Sequence, residues 1–368
     1  MTLIIKIINN IIKNIKNPIY NCNFKINFNE NDIFLINNKI ILQIWLVCPS
    51  FEIISYIDLF IKIILLNNKI LNFNLIFCWK IFSCITYRGL NSFKKIKNIV
   101  SISSCKGGVG KSTLSVNLAI SLYLQGARVG VLDADIYGPS VPILLGINDK
   151  PKSIDNMTME PIIKYGIESN SIGFLINFNS PAIWRGPIAS QAIQQILNNT
   201  NWLNLDYLFI DMPPGTGDIS LTLSQKTPII GTIVITTPQN IALYDVNKNI
   251  RMFNKIGVSI LGLIENMSMY VCDKCFNKDY IFGNYGGKNI SKQYKIKFLG
   301  KIPILTSIRK YSDLGQPIVT FGLKKNIVKI FFIISRNIIS RIFLLPKYNS
   351  ETFQNIIINK KLSDNFNR

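Results

Sequence analysis

Residues 105–113 read C-K-G-G-V-G-K-S-T, a run that can wrap a phosphate chain. Glycines let the backbone approach closely, Lys111 neutralises β/γ oxygens, and Ser112 offers a hydroxyl to Mg²⁺. The run departs from the usual G-x-x-x-x-G-K-S/T pattern at its first position, Cys105, and carries a second lysine, Lys106. Cys105, Lys106, Gly107, Gly108, Val109, Gly110, Lys111, Ser112 and Thr113 are therefore the candidate ATP-contacting residues. Further along, "VLDAD" places Asp133 and Asp135 after one apolar run, and "FIDMPPGTGD" places Asp211 after another. Asp211 fits a metal-side carboxylate, and Gly215 follows it, placed to aim a backbone N–H at a γ-phosphate.

A second chemistry resides in "VCDKCFNKDYIFG". Cys272 and Cys275 have the spacing that puts two thiolates on one metal or cluster. The chain has no histidine, which excludes imidazole ligands and every catalytic arrangement that uses a histidine base. Two cysteines leave a four-thiolate site half made, and a two-fold dimer supplies the other half. Spacing alone leaves iron–sulfur, zinc and a redox dithiol open.

These residues need elements to position them. From residue 98 strands and helices alternate, which predicts an α/β fold with a mostly parallel sheet covered on both faces. "IVSISS", "RVGVLDAD", "LDYLFIDMPPG", "GTIVITTPQ" and "VSILGLIENM" are predicted strands; "STLSVNLAISLYLQG" is a helix closed by Gly126. Ligands bind at the carboxyl edge of such a sheet. Ahead of it, a helix over 3–16, the strand "KIILQIWL", a helix capped by Ser50 and the strand "NFNLIF" predict a small α+β unit within residues 1–80. Residues 81–97 then read as a linker, 98–346 as the domain built around the phosphate loop and 347–368 as a polar tail. The apolar run "NIVKIFFIISRNIISRIFLL" predicts a helix that docks on the core or lies on a membrane, with Arg336 and Arg341 on its polar face.

The formal charge of +21, from 41 basic and 20 acidic residues, suggests nucleic acid at first sight. Much of the excess lies in Asn/Ile/Lys-rich stretches such as "IIKIINNIIKNIKN", all encoded by A/T-rich codons, so it reads as composition on solvated faces. Neither nucleic-acid binding nor a membrane span is expected; the run 40–66 is broken by Pro49, Glu52, Asp58 and Lys62. Seven cysteines without a secretory signal point to a reducing compartment. Cys22, Cys78 and Cys84 read as structural; a helix dipole and two lysines beside Cys105 could lower its thiol pKa, but it reads as a tolerated substitution in the loop.

Taken together, "CKGGVGKST", "LDADIYGPSVP", "WRGPIAS", "DYLFIDMPPGTGD", "TTPQNIALYDV", "ENMSMYVCDKC" and "SDLGQPIV" resemble the Mrp/ApbC family of iron–sulfur carriers, P-loop ATPases of the MinD-like deviant Walker A group, from Asn98 to Val319. The plastid high-chlorophyll-fluorescence and mitochondrial complex I assembly branches are both close. The resemblance implies a homodimeric ATPase that hydrolyses Mg·ATP slowly. It would carry a [4Fe–4S] cluster from assembly factors to recipient apoproteins, in an organelle (plastid stroma or mitochondrial matrix) or the cytoplasm. It further implies that Lys106 reaches the partner subunit's phosphates, that Asp135 positions the attacking water, that Asp133 and Asp211 lie on the magnesium side, and that Asn266 reads adenine. By the same resemblance Cys48 matches a cysteine of the N-terminal domain. A MinD/ParA-like positioning ATPase and a nitrogenase-reductase-like electron donor share the two-lysine loop; the first has no need of Cys272 and Cys275, and the second draws its cluster cysteines from separate loops.

Overall fold

The computed structural model describes residues 33–36, 39–46, 51–79, 81–86, 90, 92–153, 155, 157–175, 186–272, 274–275, 277–321 and 325–347. The expected helix over 3–16, the Ser50 cap, Cys22, Cys48 and the tail from 348 lie outside that set.

Near the N-terminus run β1 (Ile33–Ile36), β2 (Lys39–Leu46), α1 (Phe51–Asn67) and β3 (Phe73–Trp79). β2 pairs antiparallel with β1 and parallel with β3. Parallel pairing demands a long crossover, and α1 supplies it. Its residues Ile57, Ile61 and Leu65 are buried; spaced by four, they share one helix face. β1, a strand of four residues, is too short to show a period and was not expected.

The main sheet contains β4 (Ile96–Ser104), β5 (Val129–Asp133), β6 (Ile162–Lys164), β7 (Ile167–Ser171), β8 (Leu205–Asp211), β9 (Ile229–Thr236), β10 (Ile260–Glu265) and β13 (Phe298–Lys301). Their order is β13-β10-β9-β4-β8-β5-β7-β6. Every pairing is parallel except β6 with β7. Strands buried on both faces read as continuous apolar runs, and their alternation splits the core in two. On β8, Tyr207 and Phe209 face one cluster, Leu208 and Ile210 the other. A separate small hairpin pairs β11 (Tyr270–Val271) with β12 (Lys278–Asp279).

The helices are α2 (Lys111–Tyr123), α3 (Val141–Leu145), α4 (Gly186–Asn199), α5 (Asp218–Lys226), α6 (Asn240–Ile256), α7 (Gly286–Gln293), α8 (Thr306–Asp313), α9 (Ile318–Phe321) and α10 (Lys325–Phe343). The first core cluster holds α2 and α10 against the sheet, the second holds α4 and α5 on the opposite face. The expected α/β sheet with helices on both faces is thus observed.

Two boundaries differ from expectation. β4 begins at Ile96, inside the stretch read as linker, and Cys84 before it is buried in the main core. The Cys84 amide donates to Asn98 Oδ1 at 3.1 Å, and Cys84 bridges to Lys347 after the last helix. Asn98 also donates to the Phe82 carbonyl, so the segment leading into the sheet is packed onto it.

α10 docks. Ile327, Phe331, Ile334, Ile338, Ile339 and Ile342 are all buried, which at a few kcal/mol per side chain stabilises the docked helix by on the order of 10 kcal/mol. Its apolar face is therefore spent on the core. The predicted polar-face arginines are corrected: Arg336 is buried, donating from Nε to the Phe332 carbonyl, and Arg341 Nε donates to the Leu261 carbonyl. Backbone carbonyls capture both guanidinium groups. Among the described residues no helix is long and apolar enough to cross a membrane.

Candidate functional site

β4 delivers the phosphate loop to the carboxyl edge of the sheet, and α2 begins directly after it. The α2 N-cap is Gly110, in the left-handed region at φ 83°, and no side chain caps the helix. Helix N-termini leave their first amides without intrahelical partners; here they remain for an anion. Gly110 is required twice over, by its φ and because a Cβ there would collide with the Asn266 amide. Gly107 and Gly108 open onto unobstructed space.

Lys111 is 6% exposed and reaches Asp211 Oδ2 at 2.8 Å and Asp135 Oδ2 at 3.8 Å. Ser112 Oγ donates to Asp211 Oδ2 at 2.5 Å, and Ser115 Oγ donates to Oδ1 at 2.7 Å. Asp211 is fully buried at the end of β8; one ammonium balances its charge and two hydroxyls hydrogen-bond its oxygens. Lys111, Ser112, Asp135 and Asp211, predicted from separate motifs, thus meet. Ser115 was missed, although it lies one turn along α2 from Lys111 and Ser112, on the same face.

Asp133 takes a different part from the one expected. It is fully buried, and its oxygens accept from the Asp135 and Val141 amides and the Ser171 hydroxyl, each at 3.1 Å. It braces the loop that presents Asp135. Burial, with Asp211 beside it, pushes the Asp133 carboxyl up to about 7 despite Lys111 nearby. Burial likewise raises Asp135, Asp211 adds to this, and Lys111 pulls it back.

Gly215, expected to point its N–H at a γ-phosphate, donates it to the Ser104 carbonyl at 2.8 Å. Asn266 sits beneath the loop, donating from Nδ2 to the Val109 carbonyl at 2.8 Å. Its carboxamide therefore supports the loop as well as facing the adjoining cavity of about 680 Å³, which Gly110, Thr113, Pro303 and Leu305 also line. Lys106 remains exposed at the rim of the loop.

Cys105 is a packed, neutral thiol, and the option of an activated one falls away. It packs beside Leu243 in the small cluster under α6, and burial pushes its thiol up to about 11, outweighing a hydrogen bond with Asn249. A raised thiol pKa keeps the group neutral until the pH nears that value; at pH 8 roughly one molecule in a thousand carries the reactive thiolate. Cys105 should therefore be among the slowest cysteines to alkylate at pH 8, well behind exposed Cys275. Peptide-resolved iodoacetamide kinetics check this, and a fast Cys105 would contradict the burial account.

Cys272 and Cys275 lie on the β11–β12 hairpin, where the Cys272 amide donates to the Asn277 carbonyl at 3.0 Å. Cys272 is half-buried and Cys275 exposed. Among the described residues no cluster of three or more His, Cys, Asp or Glu side chains is placed to hold a metal ion.

Residues 95–339 match the family described as NUBPL iron-transfer P-loop NTPases. The chain belongs to that family. It is 50% identical over 251 residues to an iron-sulfur cluster carrier protein of Haemophilus influenzae, covering 68% of each chain. It is 51% identical over 225 residues to the carrier protein of Salmonella typhimurium, covering 61% of each, so it spans less than two thirds of that relative. A solved nucleotide-binding protein from Archaeoglobus fulgidus, in complex with ADP, superposes with a TM-score of 0.56 at 36% identity, covering 64% of this chain and 93% of that one. The family assignment and the architecture therefore agree, with the P-loop on the central strand of the sheet.

Proposed function

We propose that this chain is an ATP-dependent carrier of iron–sulfur clusters, which binds a [4Fe–4S] cluster as cargo between two copies and delivers it to apoproteins. The observation that carries this reading is the pairing, in one chain, of a two-lysine phosphate loop with a Cys-x-x-Cys hairpin whose Cys275 is exposed. The names of the curated relatives support the cargo, and the family supports the nucleotide. Ser112 and Asp211 are suited to hold Mg²⁺, which would neutralise phosphate charge. The uncapped α2 N-terminus and Lys111 would hold the phosphates, and Asp135, presented by the Asp133-braced loop, would orient the attacking water. The buried apolar face of α10 favours this reading over membrane positioning. A thiol pair that must stay reduced suits an organellar matrix or stroma, or the cytoplasm.

The test is anaerobic reconstitution with iron and sulfide, followed by visible absorption and by activation of a recipient apoprotein with and without Mg·ATP. Absence of cluster absorption would remove the cargo assignment. For Lys106→Ala, we expect ATP binding to survive, because Lys106 is exposed and outside the Lys111–Asp211 cluster. Hydrolysis should fall about a thousand-fold if it supplies charge in trans, as an arginine finger does. Wild-type turnover in that variant, measured by phosphate release, would exclude the in-trans role.

A further inference from the structure

The cavity beside the phosphate loop has a wall that does not belong to the P-loop core. Ile281 and Phe282 line it together with Gly110, Thr113 and Ile304. These two residues come one position after β12, beyond Tyr280, so they form the exit of the cysteine hairpin. The hairpin's entrance is tied to the same cavity. Tyr270 forms a parallel bridge with Ile304, the Ile304 amide donates to the Met269 carbonyl at 2.7 Å, and the Ser268 amide donates to the Ile302 carbonyl at 2.9 Å. Beyond Phe282 the chain turns at Gly283, with φ +98°, and Gly286 then packs against Pro238 and Leu243. The segment carrying Cys272 and Cys275 is thus anchored at both ends to walls of one cavity, while its β-pairing is only two residues long on each strand.

A hairpin with so little pairing of its own takes its position from its anchors. The cavity adjoins the first turn of α2, where a phosphate chain would lie, and its far walls are aliphatic and aromatic, which suits a flat heterocyclic base. Ile281 is 55% exposed, and a base in the cavity would give it an apolar partner.

We propose that Ile281 and Phe282 are nucleotide-binding residues supplied by the cysteine hairpin, so that a base in the cavity restrains the hairpin and changes the reactivity of its thiols. This rests on the nucleotide half of the function proposed above. Coupling of this kind is reciprocal: a metal held by the two thiolates must alter nucleotide affinity by the same factor by which nucleotide alters metal affinity.

The experiment uses the full-length chain without metal. Alkylation of Cys272 and Cys275 by N-ethylmaleimide is followed by peptide mass spectrometry, alone, with saturating Mg·ADP and with Mg·pyrophosphate, which fills the phosphate loop without a base. Binding of each ligand is measured separately by calorimetry. Mg·ADP should slow Cys275 alkylation by about five-fold or more, pyrophosphate should not, and buried Cys84 should be indifferent to both. In Phe282→Ala, Mg·ADP should still bind, more weakly, and protection at saturation should be lost. Ile281→Ser serves as a second variant should Phe282→Ala fail to fold, with the same loss expected. Zn²⁺, as a probe of the thiol pair, should shift the ADP dissociation constant in wild type and not in the variant. If Mg·ADP binds and leaves Cys275 unchanged, or if pyrophosphate protects equally, the coupling is overturned while the nucleotide reading stands. If Mg·ADP does not bind at all, the nucleotide reading falls and the coupling with it.

Discussion

Replacing Lys111 with alanine is expected to abolish measurable Mg·ATP binding. Lys111 is the sole side chain in an ion pair with Asp211 among the described residues, at 2.8 Å, and is itself 6% exposed. The variant loses the cation aimed at the phosphates and leaves a fully buried carboxylate without its counter-charge. Breaking a buried pair from one side costs about 3–5 kcal/mol of folding stability, so the urea midpoint of the chain should fall. Losing a charge-assisted contact to phosphate costs about 1.5–3 kcal/mol, and each 1.4 kcal/mol is roughly ten-fold in affinity, so binding should separately fall by about ten- to a hundred-fold or more. The double variant Lys111→Ala/Asp211→Asn separates these effects. It removes the stranded charge while Ser112 and Ser115 still contact residue 211, so stability should recover in part and ATP binding should not. Calorimetric titration together with urea unfolding followed by circular dichroism reads both. Wild-type affinity in either variant would mean that the phosphates lie elsewhere.

Losing one hairpin cysteine should be as damaging to the cargo as losing both. One chain brings two thiols to the hairpin, and no other cluster of ligands is assembled among the described residues. A four-thiolate site built across a two-fold axis therefore has no spare ligand. Cys272→Ala or Cys275→Ala should abolish the visible absorption of the reconstituted protein and its iron content. Wild type should hold about two irons per chain, one [4Fe–4S] per dimer. A Cys₄ zinc site would show no visible charge transfer and about half a zinc per chain. ATP binding should remain nearly intact in both variants, because the phosphate cluster of Lys111, Ser112 and Asp211 uses other loops. Full iron loading in Cys275→Ala would shift attention to other cysteines, Cys48 first.

Much of this was readable before any fold was seen, because some physical demands are local. A glycine-rich loop followed by Lys-Ser-Thr has little other use between a buried strand and a helix, so Lys111, Ser112 and the start of α2 were legible from nine residues. Strands buried on both faces must be apolar throughout, which made β4, β5, β8, β9 and β10 visible as runs. The β6–β7 pair and β13 were not, since three to five residues with polar members such as "IESNS" show neither run nor alternation. The compositional excess of Asn, Ile and Lys further blurs these short elements.

Whatever depended on contacts between distant segments only the tertiary structure could decide. Arg336 and Arg341 have helical spacing suited to a polar face, yet Arg336 is buried and Arg341 donates to the Leu261 carbonyl of β10, because α10 packs closely enough that even its polar positions meet protein. Cys105 stands between a lysine and a strand in sequence, but burial under α6 outweighs the hydrogen bonds with Asn249 and the nearby Lys248 charge and raises its thiol. Asp133 and Asp211 look alike as strand-end carboxylates. Their roles part because β5 places Asp133 against the Val141 and Asp135 amides, whereas β8 places Asp211 under Lys111. Residue types and spacing determined which chemistry the chain can perform. Burial and the partners brought by remote strands decided which of those groups is free to perform it, because desolvation and hydrogen-bond competition exist only once the chain has closed around them.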